Sequence, residues 1–78
     1  MARVRTLEKR HSEECGCPEE HFEIYGFAEV IIHMEPDGSG EAFIDFGDWQ
    51  EEKEFQCADI DDLRQKTVDY ITSLEMVD

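Results

Sequence analysis

Long apolar runs are what this 78-residue chain most plainly lacks. Its longest, Val30-Ile31-Ile32, falls far short of the roughly 18 residues a membrane-spanning helix needs. Basic residues are scarce too: seven Lys and Arg stand against 21 Asp and Glu, a formal charge of −14. Counterion release on nucleic acid needs clustered cations, so this balance excludes a simple DNA or RNA binder and argues against an anionic membrane surface. No apolar signal core follows the basic start, because Leu7 is the only apolar residue among residues 6–10, and the chain is expected to stay in the cytoplasm. Cysteines number three, and Cys15 and Cys17 are one residue apart. That count and spacing fit reduced thiols better than a secreted disulfide framework. There is no Gly-rich phosphate loop, and none of Thr6, Ser12 or Ser39 stands in a hydrolase-like pattern. With a length that allows one small domain and no deep cleft, the chain reads as a non-enzyme.

What is present is acid, unevenly laid out. Residues 1–10 carry Arg3, Arg5, Lys9 and Arg10 against Glu8, a net +3, while residues 11–78 carry a net −17. Residues 1–20 are therefore read as a basic N-terminal arm followed by an acidic Cys/His loop around Gly16 and Pro18. From His21 the pattern has period two: Phe22, Ile24, Gly26, Ala28, Val30, Ile32 and Met34 share one side. Pro36-Asp37-Gly38-Ser39-Gly40 predicts a turn, residues 41–48 a second strand with Ala42, Ile44 and Phe46 inward, and residues 51–57 a third with Phe55 and Cys57 inward. Asp59 as N-cap, Asp62 three residues on, and Ile60, Leu63, Thr67, Tyr70, Ile71, Leu74 and Val77 at helical spacing predict an amphipathic helix of about 18 residues. The expected fold is α+β: a single domain over residues 21–78 with a three-stranded antiparallel sheet and a C-terminal helix on one face, βββα. Pairing Ile32 with Ile44 and Val30 with Phe46 would bring the apolar faces together, placing Phe27 opposite Trp49 and His33 opposite Phe43.

The helix leaves the other face uncovered. There the alternation places Tyr25, Phe27, Ile31, Phe43 and Trp49 among Glu23, Glu29, Glu35 and Asp45. A solvent-facing sheet surface normally reads polar. Three occupants account for the aromatics: the N-terminal arm through Val4 and Leu7, a second copy in a homodimer, or a docked partner. The carboxylates, with Glu41, Glu51, Glu52 and Glu54 beside them, stand at the roughly 6.6–7 Å strand repeat, close to the interval between phosphates along a nucleic-acid strand. Dense acid also favours fast, salt-sensitive capture of a basic partner.

One cluster has metal-ligand chemistry. His11, Cys15, Cys17 and His21 offer two imidazoles and two thiols over eleven residues, a set that suits zinc, although Cys-x-Cys is tighter than the usual structural spacing. The alternative is an acidic loop with no cofactor. His33 and Cys57 read as a sheet-surface histidine and a small buried residue.

In size, acidity and the pattern over residues 21–78 the chain resembles small phage-encoded inhibitors, anti-CRISPR proteins among them. Those are single acidic domains that block an RNA-guided effector by occupying its nucleic-acid channel. The resemblance carries no shared motif, so no residue role transfers with it, and the basic arm departs from a pure nucleic-acid mimic. It implies an inhibitor of a basic, nucleic-acid-handling protein; the strand alternation, not the resemblance, puts Glu23, Tyr25, Phe27, Glu29, Glu35, Phe43, Asp45 and Trp49 at the contact. The alternatives are a zinc-binding interaction module and an immunity or antitoxin-type partner of a basic toxin.

Overall fold

The computed structural model describes residues 3–14 and 16–75. Six elements follow in order: β1 (Val4–His11), β2 (Pro18–Ile24), β3 (Ala28–Met34), β4 (Ser39–Asp45), β5 (Gln50–Gln56) and α1 (Ile60–Glu75). The strands form one antiparallel meander in sequence order, and α1 lies across one face of it against β2 to β5. The α+β class and the C-terminal helix match expectation. The sheet has five strands rather than three, for two separate reasons.

The first is a turn concealed by its own parity. Ile24 pairs with Ala28, so the stretch read as one long strand is a hairpin with Tyr25-Gly26-Phe27 as its loop. The Phe27 N–H donates to the Ile24 carbonyl at 2.9 Å, and Gly26 takes a φ of 72°, a conformation that is cheap only for glycine. A three-residue loop sets even residues opposite even residues. Phe22, Ile24, Ala28, Val30 and Ile32 therefore stay on one face through the reversal, and the alternation never breaks.

The second is that the N-terminal arm is a strand. β1 pairs with β2 from Val4↔Ile24 to His11↔Pro18, with an extra residue at Leu7 that shifts the register. All eight residues of β1 are exposed, so no apolar alternation announces it. Backbone pairing holds it, with Arg5 3.6 Å from Glu23 and Arg10 3.3 Å from Glu19 as cross-strand ion pairs. Residues 1–20 are thus not an arm and loop outside the domain: β1 and the start of β2 belong to the same sheet. Val4 and Leu7 do not fold over the aromatic face; they sit on the edge strand, 39% and 40% exposed.

The remaining turns fall where Pro and Gly predict them. Pro36-Asp37-Gly38 closes β3 to β4, with the Asp37 carboxylate accepting from the Ser39 N–H (3.0 Å) and hydroxyl (2.6 Å), and Gly38 at φ 90°. This sets Val30 opposite Ile44 and Ile32 opposite Ala42, two residues from the expected register but with the same faces aligned. Gly47-Asp48 closes β4 to β5.

The core lies between the inward face and α1: Phe22, Val30, Ile32, Ala42 and Ile44 from the sheet, Leu63, Thr67 and Ile71 from the helix. Asp59 caps α1 by accepting the Asp62 N–H at 2.8 Å, and Asp62 reaches back to the Ala58 N–H at 2.9 Å. Val77, expected on the helix, lies outside the described residues. Two polar contacts tie the helix down. Arg64 Nη1 grips both oxygens of Glu20 at 2.7 and 2.9 Å, leaving that carboxylate only 2% exposed. Tyr70 donates its hydroxyl to Glu51, packs edge-on to Phe55, and lies beneath the Lys53 ammonium, 4.8 Å from its ring centroid.

Helix and sheet meet closely at Gly40, where an added Cβ would stand 2.6 Å from Leu63 Cδ2 and 3.0 Å from Cys57 Sγ. Leu63 is fully buried and has nowhere to move. Gly40→Ala is accordingly expected to destabilise the fold by about 1–3 kcal/mol, read from urea unfolding. An unchanged midpoint would mean the helix is free to ride outward.

The Tyr70 pKa is raised, first by its hydrogen bond to Glu51, then by burial and by the carboxylate's charge. A raised folded pKa means the contact is fully stabilising below the phenol's ordinary value of ~10 and is lost as pH climbs through the higher folded one. Tyr70→Phe should therefore lower Tm near neutrality but flatten its alkaline decline. Parallel alkaline limbs in the two proteins would contradict this.

Candidate binding face

With α1 on one side, the odd-numbered residues of β2, β3 and β4 and the even-numbered residues of β5 form the other. Antiparallel pairing lines them up in rows across the strands. One row reads Arg5, Glu23, Glu29, Asp45, Gln50; the next Glu8, His21, Ile31, Phe43, Glu52; the third Arg10, Glu19, His33, Glu41, Glu54. Two acidic rows thus flank a row with His21, Ile31 and Phe43 at its centre. Over β3 to β5 these residues enclose a depression of about 440 Å³ whose lining includes His21, Ile31 and Phe43 below and Glu29, Asp45 and Glu52 around them.

The cations keep to the β1 edge of this face or lie off it, Arg5 pairing with Glu23 and Arg10 with Glu19. Arg3, Arg5, Lys9 and Arg10 lie on or just before β1, Lys53 is on the helix side of β5, and Arg64 and Lys66 are on α1. Lys66 is engaged by Asp62 at 3.1 Å, as Arg64 is by Glu20 and Asp61. Glu29 is directly opposite Glu23 on one side and Asp45 on the other, and Glu41 is opposite Glu54. Opposed residues have Cβ atoms about 4.5–5.5 Å apart, where like charges destabilise a sheet. Among the described residues no Lys or Arg forms an ion pair with Glu29, Asp45, Glu41, Glu52 or Glu54.

The residues expected at the contact divide into three groups. Glu23, Glu29, Phe43 and Asp45 lie on this face as expected, with Ile31, and Glu35 follows at its far corner just beyond β3. Tyr25, Phe27 and Trp49 are in the hairpin turns at one end of the sheet, not on its strands. Phe27 and Trp49 both pack on Phe46, edge-on at 5.8 Å and stacked at 4.4 Å, and Phe27 is partly buried against the core. The expected pairings Phe27–Trp49 and His33–Phe43 give way to Ile31–Phe43 and His33–Glu41. Glu52, expected among the carboxylates of this face, lines the depression, and so do His21 and Gln50, which were not singled out for it. Their assignment required the β2–β3 and β4–β5 registers, which hydropathy alone does not set.

The metal-ligand set is also redistributed. His11 is exposed at the end of β1, His21 is in the central row opposite Glu8 and Ile31, and Cys15 lies outside the described residues. Cys17 is buried, and its sulfur falls within 4.8 Å of ligand atoms on His33 and Glu35 instead. His33 is half-buried between two carboxylates, Nδ1 2.9 Å from Glu19 and Nε2 3.1 Å from Glu35. The hydrogen bond to His33 holds the Glu19 carboxyl below its usual value against the opposing effect of burial, with help from Arg10. Cys57 is buried beside Met34 Sδ (3.2 Å), and desolvation, with the charges of Asp62 and Asp59 adding to it, pushes its thiol pKa up. It packs as a small apolar residue.

Compared with protein-family models, curated proteins and solved structures, the chain matches none.

Because Glu29 faces acid on both sides, Glu29→Lys should raise Tm by roughly 3–8 °C at low ionic strength, with the gain shrinking in high salt. A fall in Tm at low salt would mean that the row's repulsion is already relieved within the fold.

Proposed function

We propose that this protein is a non-enzymatic inhibitor that binds a basic, nucleic-acid-handling protein and occupies the groove in which that protein holds nucleic acid. An RNA-guided effector is the target class suggested by the resemblance to small acidic phage-encoded inhibitors, and the cytoplasm of the cell containing that effector is where it would act. The observation that carries this reading is the pair of acidic rows on either side of His21, Ile31 and Phe43, in which Glu29 and Asp45 on one side and Glu41 and Glu54 on the other have no Lys or Arg ion pair among the described residues. Four residues of strand separate the rows, about 13 Å, close to the ~12 Å width of a duplex major groove. A groove lined by Lys and Arg meets them as it would two phosphate ridges. The row between suits the same side chains in another way: aliphatic stems lie along Ile31, and a guanidinium over the Phe43 ring gains cation–π attraction. The cost of holding Glu23, Glu29 and Asp45 side by side is then recovered when a basic partner neutralises them.

Charge also ranks the three occupants considered for this face. The arm is a strand at its edge, and a second copy would press acid onto acid, so a basic partner fits best.

The test is capture of RNA-guided effectors, or of any basic nucleic-acid-binding complex, from bacterial lysate at about 50 and 500 mM salt, a range over which screening strengthens severalfold. Binding should be strong at low salt, competed by added DNA, and slowed at least about tenfold in on-rate by Glu29→Lys with Asp45→Lys. In the double variant the two lysines stand opposite each other and the Gly47 N–H loses its Asp45 acceptor, so its Tm is measured alongside, and Glu29→Lys alone should slow binding in the same direction. Binding that is unchanged by them would overturn the mimicry. Capture of a basic toxin would move the protein to the immunity or antitoxin class on the same electrostatics.

A further inference from the structure

The corner of the face at the end of the third row gathers side chains with metal-ligating chemistry. Cys17 Sγ, an imidazole nitrogen of His33 and a carboxylate oxygen of Glu35 lie within 4.8 Å of one another. Two chain segments bring them there: the β1–β2 connection, with Cys17, and the end of β3, with His33 and Glu35 two residues apart. Cys17 is 5% exposed and the His33 side chain 16%, so these are seated groups rather than mobile surface ones.

The hydrogen bonding of His33 makes the corner unusual. A neutral imidazole has one N–H to give, yet a carboxylate oxygen stands at each of its nitrogens, Glu19 at 2.9 Å and Glu35 at 3.1 Å. With Nδ1–H given to Glu19, the Nε2 lone pair points toward the Glu35 oxygen with the Cys17 sulfur alongside. Three electron-pair donors then converge on one point. Glu19 is in turn held by Arg10 Nε at 3.3 Å. A carboxylate that orients the far nitrogen of a ligating histidine, and is itself anchored, is the usual outer shell of a protein zinc site.

We propose that Cys17, His33 through Nε2, and Glu35 form a binding site for a borderline divalent metal ion, zinc foremost, with Glu19 as the positioning residue. One thiolate, one imidazole and one carboxylate make a donor set that zinc accepts. Bond lengths of about 2.0–2.3 Å put tetrahedral ligands roughly 3.3–3.8 Å apart, so side-chain rotations of about 1 Å close the present separation. Among the described residues three protein ligands converge, leaving a fourth position that water can take. This set differs from the one the spacing of His11, Cys15, Cys17 and His21 suggests. It shares Cys17 with it, while His11 and His21 are carried away by their places in β1 and β2, and Cys15 lies outside the described residues.

The test uses the full chain, reduced and stripped of metal, titrated with Zn²⁺ against a chromophoric chelator and separately with Co²⁺. We expect one equivalent bound, and a near-ultraviolet sulfur-to-cobalt charge-transfer band. Cys17→Ser should abolish that band, His33→Gln should weaken zinc by at least 100-fold, and Glu19→Gln should weaken it about 10–100-fold without changing the stoichiometry. His11→Asn and His21→Asn should leave both readouts unchanged. Absence of the charge-transfer band in the wild-type chain overturns the site, and that measurement needs no variant to fold. Loss of zinc in His11→Asn or His21→Asn, with His33→Gln unaffected, would overturn it in favour of the other ligand set.

Discussion

Leu63 of α1 rests on Gly40 of β4, and every other feature of the molecule depends on the seal around that contact. A single helix has to cover the inward face of a five-stranded sheet. It does so because β4 has no side chain at this close approach and because Phe22, Val30, Ile32, Ala42 and Ile44 present a continuous apolar surface to Leu63, Thr67 and Ile71. A chain of this length buries only about 60% of its unfolded surface, so little stability is held in reserve. The second face is left with no covering element, and its chemistry is set by what the odd-numbered residues happen to be.

Those residues work against the fold. Opposed acids in adjacent strands repel, and among the described residues no Lys or Arg pairs with the acids that β3, β4 and β5 turn to this face. Glu20, the one deeply buried acid among the described residues, is treated quite differently. It points to the helix side and is gripped by both of its oxygens by Arg64, so it ties β2 to α1 where a lone buried carboxylate would tear them apart. The molecule thus neutralises acid where folding requires it and leaves acid bare where a basic partner would meet it.

Much of the inward face was legible in the amino-acid order. The alternation through Phe22, Val30, Ile32, Ala42 and Ile44, the Pro36-Asp37-Gly38 turn and the Asp59 cap each reflect a local preference that the tertiary structure obeys. Two strands were not legible, for opposite reasons. The hairpin at Gly26 hides because an odd loop preserves parity, so hydropathy is identical with and without the turn. β1 hides because an exposed edge strand of Arg, Lys and Glu has no apolar face, and its pairing partner lies more than a dozen residues away in places. The aromatics divide along the same line. Phe43 keeps the place its parity assigns, whereas Phe27 and Trp49 leave the face because the chain reverses on either side of them.

The sequence by itself determined the fold class, the inward face, the helix and the excess of acid, since each follows from residue identity at short range. Tertiary structure alone decided which acids stand opposite one another, which aromatic lies between them, and which histidine meets Cys17. Register is a long-range quantity: a two-residue slip between β3 and β4 leaves every side chain on its proper face while changing every neighbour across the strands. The core tolerates that ambiguity, being apolar throughout, and the outward face does not. There the choice between Glu29 opposite Asp45 and Glu29 opposite Gly47 is the difference between a charged row and none, and it is made by the loop geometry at Pro36-Asp37-Gly38.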